Sequence, residues 1–358
     1  MRPLALSLLA SITLTFCTPA TPPPGPPPVL AAKPIPLPGA EQGVILDYLV
    51  VDRTGRRVWI PAGATGSVDV IDGTSDHVTR IEGFPTAPAE VFGKKVMIGP
   101  SAVTLGEGLA YVGNRGDGKI CAIDRTSLTV GTCFPFAAAG DLAATPDGIA
   151  YVGTTHEVWA TVGAPPLGLA PTDKGIVVLD ASKPGALVAK GRVAIDGDAE
   201  GYAVDDEHGL FFTNYADKNL TAAIDVRAKK VIATWSPHCS GDGPRGLAVD
   251  AARRLVFVAC TDGVVVLDGA HDGRVIARAD TGEGVDNIDY VESKRWLFVA
   301  AAKSQRLTIF EVEADGSLRV RATAPTARGA RVVVADAAGR AYVADSGGGR
   351  ILAFDPPQ

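Results

Sequence analysis

Seven copies of one strand-and-turn phrase predict an all-β chain, folded as a single seven-bladed β-propeller of four-stranded antiparallel blades. The uninterrupted copies lie roughly 40 to 45 residues apart, the period of one propeller blade. Two further observations agree. No segment carries a sustained 3.6-residue apolar stripe with helix caps. The 358 residues include 41 Gly and 26 Pro, which suits a chain that turns often.

The phrase is a small apolar strand, a D-x-x-x-R turn, a strand carrying V/Y-V, a Gly/Asp/Asn turn, and V-x-V-x-D. It stands as LVVDRTGRRVWIPAGATGSVDVID, VTLGEGLAYVGNRGDGKICAID and AATPDGIAYVGTTHEV with its continuation KGIVVLD. It returns as YAVDDEHGLFFTNYADKNLTAAID, LAVDAARRLVFVACTDGVVVLD, IDYVESKRWLFVAAAKSQRLTIFEV and VVVADAAGRAYVADSGGGRILAFD. The copies start near Ile45, Ser101, Asp141, Glu200, Arg245, Asn287 and Arg331. Runs of Val, Ile, Tyr and Phe between turn residues read as strands. Strand A opens each copy, strand B carries V/Y-V (AYVG in the third copy), strand C carries V-x-V-x-D, and strand D follows a short turn.

The seventh copy stops at Phe354-Asp355-Pro356 without a strand D. An open ring would expose an unpaired sheet edge. Residues 33–37 (KPIPL) are the candidate to fill the gap, because prolines are tolerated on an outermost strand. The propeller is thus expected over residues 33–358.

The copies resemble the YVTN β-propeller repeat family. Tyr111-Val112-Gly113-Asn114 followed by GDGKICAID carries the resemblance, with looser versions at Leu255-Val256-Phe257-Val258 and Ala341-Tyr342-Val343-Ala344. The resemblance implies an extracytoplasmic propeller and names no activity.

The first 32 residues differ in kind. Met1-Arg2 and an apolar run from Leu4 to Phe16, too short to span a bilayer, have the layout of a secretory signal peptide over residues 1–17. Leu14-Thr15-Phe16-Cys17 resembles a bacterial lipobox with Cys17 as the lipidated residue, although Phe16 stands where that pattern has a small residue. Residues 18–32, containing TPPPGPPP, read as a polyproline tether. The expectation is an exported protein of the periplasm or outer cell envelope, anchored by lipid, that meets the membrane only through it.

Cys121, Cys133, Cys239 and Cys260 remain, and the repeat register pairs them. Cys121 on strand C and Cys133 on strand D of blade 2 are equidistant from the hairpin tip near Ser127, hence directly opposite. Cys239 lies in the loop into blade 5 and Cys260 ends strand B there, so both reach one face. Two disulfides, Cys121–Cys133 and Cys239–Cys260, are expected.

The D-to-A and B-to-C loops gather at one mouth of the central channel, and insertions on one face mark a binding face. Residues 83–99, 156–174 and 236–244 are such insertions. Residues opening strand A point toward the channel: Asp141, Glu200, Arg245, Asp286, Asn287 and Arg331 are candidate ligand-binding residues. The B-to-C loops add Asn114, Arg115, His156, Asn214 and Asp345. Asp141, Glu200, Asp286 and Asn287 are candidate ligands for Ca²⁺ or another divalent cation, an arrangement faintly like the gluconolactonase-type propellers, which hydrolyse lactones with a metal.

A net charge of −6 with no basic cluster argues against nucleic acid as a partner. The five histidines are scattered, with no HExxH, no C-x-x-C-H and no G-x-S-x-G. The expected function is therefore a monomeric, non-enzymatic binding module without cofactor, whose mouth meets a protein, peptide or envelope polymer. The alternative is a metal-assisted hydrolase or lactonase acting in the channel.

Overall fold

The computed structural model describes residues 25–91, 94–139, 145–163 and 175–357. Seven four-stranded antiparallel sheets form the blades, each ordered A-B-C-D from the channel outward. The innermost strands are Val50–Asp52, Pro100–Leu105, Thr145–Val152, Ala199–Asp205, Pro244–Asp250, Val285–Val291 and Val333–Ala335. The N-terminal segment Lys33–Pro36 closes the ring. It pairs antiparallel with Arg350–Phe354 as the fourth strand of blade 7, with Ile35 opposite Ile351.

Closure is a packing event as well as a ladder. Ile35 and Leu37 are buried in one apolar cluster with Val58, Ile60 and Ile71 of blade 1 and Tyr342, Ala344 and Ile351 of blade 7. Asp76, in blade 1, binds Arg340 of blade 7 and Lys33 of the closing strand, both at 2.6 Å. Similar clusters fill the other inter-blade seams, as where Trp159 of blade 3 meets Phe211 of blade 4 with ring centroids 5.0 Å apart.

Two places differ from the sequence reading. In blade 3, Ala150-Tyr151-Val152 belongs to strand A, and strand B is Glu157–Gly163, drawn from the stretch read as an insertion. Gly153–Thr155 make the A-to-B hairpin, with His156 left-handed at φ 51°. A second V/Y-V run masked this register, because VWATVG and AYVGTT both alternate as strands do. The expected B-to-C insertion contracts to residues 164–174, which lie outside the described residues.

The second difference is at the proline-rich stretch. Leu30 N–H donates to Thr323 O at 2.8 Å and Thr323 N–H to Pro28 O at 3.0 Å, a parallel bridge onto the outer strand of blade 6. Residues 28–36 therefore strap blades 6 and 7, because Leu30 finds apolar cover there and a proline still offers its carbonyl. Cys17 and the signal segment lie outside the described residues.

The disulfides are Cys121–Cys133, facing across the C–D ladder of blade 2, and Cys239–Cys260. Such bonds persist in oxidising compartments. Among the described residues no helix is long and apolar enough to cross a membrane.

Candidate functional site

The entry to strand A carries an equivalent position in every blade. Four or five residues before its last position, each blade places one residue at the mouth: Asp47, Ser101, Asp147, Glu200, Arg245, Asp286 and Arg331. Six of these seven are charged, a density far above the 21% of the whole chain. In blades 2 to 6 the A–B ladder slips by a bulge at this point, as between Glu200 and Tyr202. A bulge re-aims a side chain, here toward the channel. Gly201, at φ 65°, takes a left-handed turn that a β-carbon would oppose.

Arginines bind the carboxylates unequally. Arg331 lies 2.8 Å from Asp286 but 4.0 Å from Asp47. Arg115, from the B-to-C loop of blade 2, lies 3.3 Å from Asp147, and Arg245 lies 3.7 Å from Glu200. Burial pushes the Asp47 carboxyl up to about 7, with Asp286 and Asp147 adding to the rise and Arg331 and Arg115 opposing it. Burial likewise drives Glu200 up to about 8, reinforced by Asp286, Asp147 and Asp47 and resisted by Arg245. For Arg331, burial works against the charge, yet Asp286, Asp47 and Glu200 outweigh it and raise its pKa. The two carboxylates furthest from a guanidinium are thus the two that resist ionisation.

One residue deeper, Tyr48 faces Tyr202 across the channel, their rings stacked with centroids 5.4 Å apart. Glycine permits this. A β-carbon on Gly148 would stand 2.8 Å from the Tyr202 ring and 3.2 Å from that of Tyr48. Burial raises the pKa of both phenols, so they stay neutral. Beside the stack a cavity of about 140 Å³ runs down the channel past Asn287, Leu247, Ile288 and Val333. At its far end Arg53 Nη2 donates to Asp289 Oδ1 at 2.6 Å.

Glu200, Arg245, Asp286 and Arg331 stand together in this ring, and Asn287 lines the cavity one residue below. Asp141 lies outside the described residues, and Asp147 holds the ring position of blade 3. Of the B-to-C residues, only Arg115 pairs with the ring. Asn214 donates to the Arg245 carbonyl and accepts from Thr221 Oγ1 at 2.7 Å, which fixes the backbone beneath Arg245. Asn114 braces Pro85 O at 3.0 Å, and Asp345 pairs with Arg350 at 2.8 Å. His156 sits on the opposite face, in the A-to-B turn, 3.1 Å from the Tyr151 hydroxyl. Asp47, Asp147, Tyr48 and Tyr202 were not singled out from sequence. Aligning copies on the last residue of strand A would have found the first two, since Asp-Tyr and Asp-Gly then fall under Glu-Gly and Arg-Gly.

Of the four cation-site candidates, Glu200, Asp286 and Asn287 lie among the described residues. Among the described residues no three His, Cys, Asp or Glu side chains gather around one point as metal ligands. Asp286 and Glu200 face guanidinium groups instead.

The fold is similar to that of a chain of the Kuenenia stuttgartiensis hydrazine synthase, with a TM-score of 0.68 at 13% identity, over 88% of this chain and 96% of that one. At that identity the likeness speaks for the fold alone. No protein-family model matches the chain. The search of curated proteins found no match.

Proposed function

We propose that this protein is an exported, lipid-tethered binding module that works without catalysis and meets a protein, peptide or envelope polymer through the charged mouth of its channel. The observation that carries the reading is the in-register ring of six charged residues above a tyrosine-stacked channel. Strand ends of a rigid scaffold hold these side chains in place, as a recognition surface needs. The two disulfides and the likeness to YVTN repeats support export, and Cys17 with its proline-rich sequel supports the tether.

The guanidinium groups favour binding over metal-assisted hydrolysis. Arg331, 2.8 Å from Asp286, occupies the counter-ion position that a divalent cation would need there, and Arg245 adds a second positive charge 3.7 Å from Glu200. Excess EDTA should leave the melting temperature unchanged within about 1 °C, and the protein should not accelerate hydrolysis of glucono-δ-lactone. A cation held at about 100 times its dissociation constant contributes about 2.7 kcal/mol. A fall of several degrees with EDTA that CaCl₂ restores, or EDTA-sensitive lactone hydrolysis, would overturn the reading.

A further inference from the structure

Among the described residues, with its carboxyls ionised, the ring at the mouth is short of positive charge by one. Four carboxylates, Asp47, Asp147, Glu200 and Asp286, face three guanidinium groups, Arg115, Arg245 and Arg331. Arg115 and Arg331 pair with Asp147 and Asp286, and Arg245 stands 3.7 Å from Glu200, so the deficit falls first on Asp47, which reaches Arg331 only at 4.0 Å, and next on Glu200. These belong to blades 1 and 4, whose innermost segments also supply the stacked tyrosines Tyr48 and Tyr202. A monovalent cation would neutralise the set, whereas a divalent one would overshoot.

Three features specify what kind of cation. Ser101, at the ring position of blade 2, is 7% exposed and its Oγ has no hydrogen-bond partner. An unpartnered buried hydroxyl is a ready acceptor for an N–H donor. The Tyr48 and Tyr202 rings offer the π-electron surface that attracts ammonium groups. Below them the cavity passes between apolar walls, Leu247, Ile288, Val50 and Val333, before reaching the Arg53–Asp289 pair. Its volume of about 140 Å³ is well above the roughly 10–15 Å³ that one water needs by the same measure, so it has room for a short alkyl chain.

Resting on the binding reading above and deepening it, we propose that the mouth is a site for a primary ammonium group carried on a short unbranched alkyl chain. The nitrogen is held between Asp47 and Glu200, and the chain descends beside the tyrosine stack. A free alkylamine and a lysine side chain share this chemistry. Binding ionises the two carboxyls and so releases protons.

Isothermal titration of the full chain with n-butylamine at several pH values tests this. For each proton released the affinity climbs by up to about tenfold per pH unit below the carboxyl pKa. Binding at least about tenfold tighter at pH 8 than at pH 6 is therefore expected, with loss in Asp47→Asn/Glu200→Gln. Butyrate bound more tightly than butylamine, affinity that falls with rising pH, or displacement of butylamine by CaCl₂ at lower concentration would each overturn the inference. No butylamine binding overturns it too, yet leaves the binding reading standing, since that is judged by the EDTA melt. Should the double variant not fold, the wild-type pH dependence decides. N-acetyl-lysine methylamide separates the sources: uptake of both probes assigns a lysine side chain, and exclusion of the larger probe assigns a free amine.

Discussion

Removing residues 25–36 should leave the ring unable to close and lower the melting temperature by more than about 10 °C. Blade 7 would keep three strands, and Arg350–Phe354 would become a bare edge. The burial of Ile35 is lost with the strand, and burying such a side chain is worth about 1.5–3 kcal/mol. Asp76 would lose Lys33 and keep Arg340 alone. Exposed edges pair with other chains, so self-association is expected beside the instability. The milder variant Ile35→Asp keeps the ladder but puts a charge where the side chain is 4% exposed, at a cost of about 3–5 kcal/mol. Differential scanning calorimetry and size-exclusion chromatography read both effects. A truncated monomer that melts with the wild type would show that the strap contributes nothing.

Glu157→Ala should be the most damaging single change outside the closure, at about 3 kcal/mol. Glu157 is 1% exposed and accepts from Lys190 at 2.8 Å, Lys229 at 2.9 Å, Trp159 Nε1 at 3.0 Å and Thr155 Oγ1 at 2.9 Å. Lys229 comes from blade 4, so the carboxylate staples two blades. Truncation strands the indole N–H of Trp159, which is wholly buried, while the two lysines can turn to water. Burial opposes the charge on Glu157, but its four donors outweigh burial and lower the pKa below 4.5. The contribution is therefore present above the unfolded value and disappears as pH falls through the folded one. Thermal melts at neutral pH should show a loss of roughly 5 °C. Glu157→Gln, which still accepts from Trp159 and Thr155, should lose less.

Periodicity made the propeller legible, because each blade repeats one alternating pattern and the disulfides follow from its register. Lys33–Pro36 could be assigned from the missing strand alone. The site was legible only in part. Glu200, Arg245 and Arg331 were found since each opens a cleanly spaced copy, and Asp286 since it immediately precedes one. Asp147 was displaced by Asp141 because blade 3 carries a second strand-like run, which shifted the origin of the copy by several residues. Asp47 was hidden before a strand A of only three hydrogen-bonded residues, Val50–Asp52. Tyr48 and Tyr202 looked like ordinary core residues, and their contact spans blades far apart in sequence. No local pattern encodes an unequal sharing of three arginines among four carboxylates. That depends on distances set by ring closure.

The central claim is that Asp47 and Glu200 converge at the mouth without enough counter-charge. Both carboxyls titrate higher in the folded chain than in the unfolded one, so their contribution to stability is full at low pH and drains away as pH rises toward about 8. Melting curves of the wild type and of Asp47→Asn/Glu200→Gln from pH 5 to pH 9 measure this directly. The wild type should lose melting temperature faster than the double variant from pH 5 upward, with the gap levelling off above about pH 8. Parallel curves, or a wild type that gains stability relative to the variant as pH rises, would contradict the account.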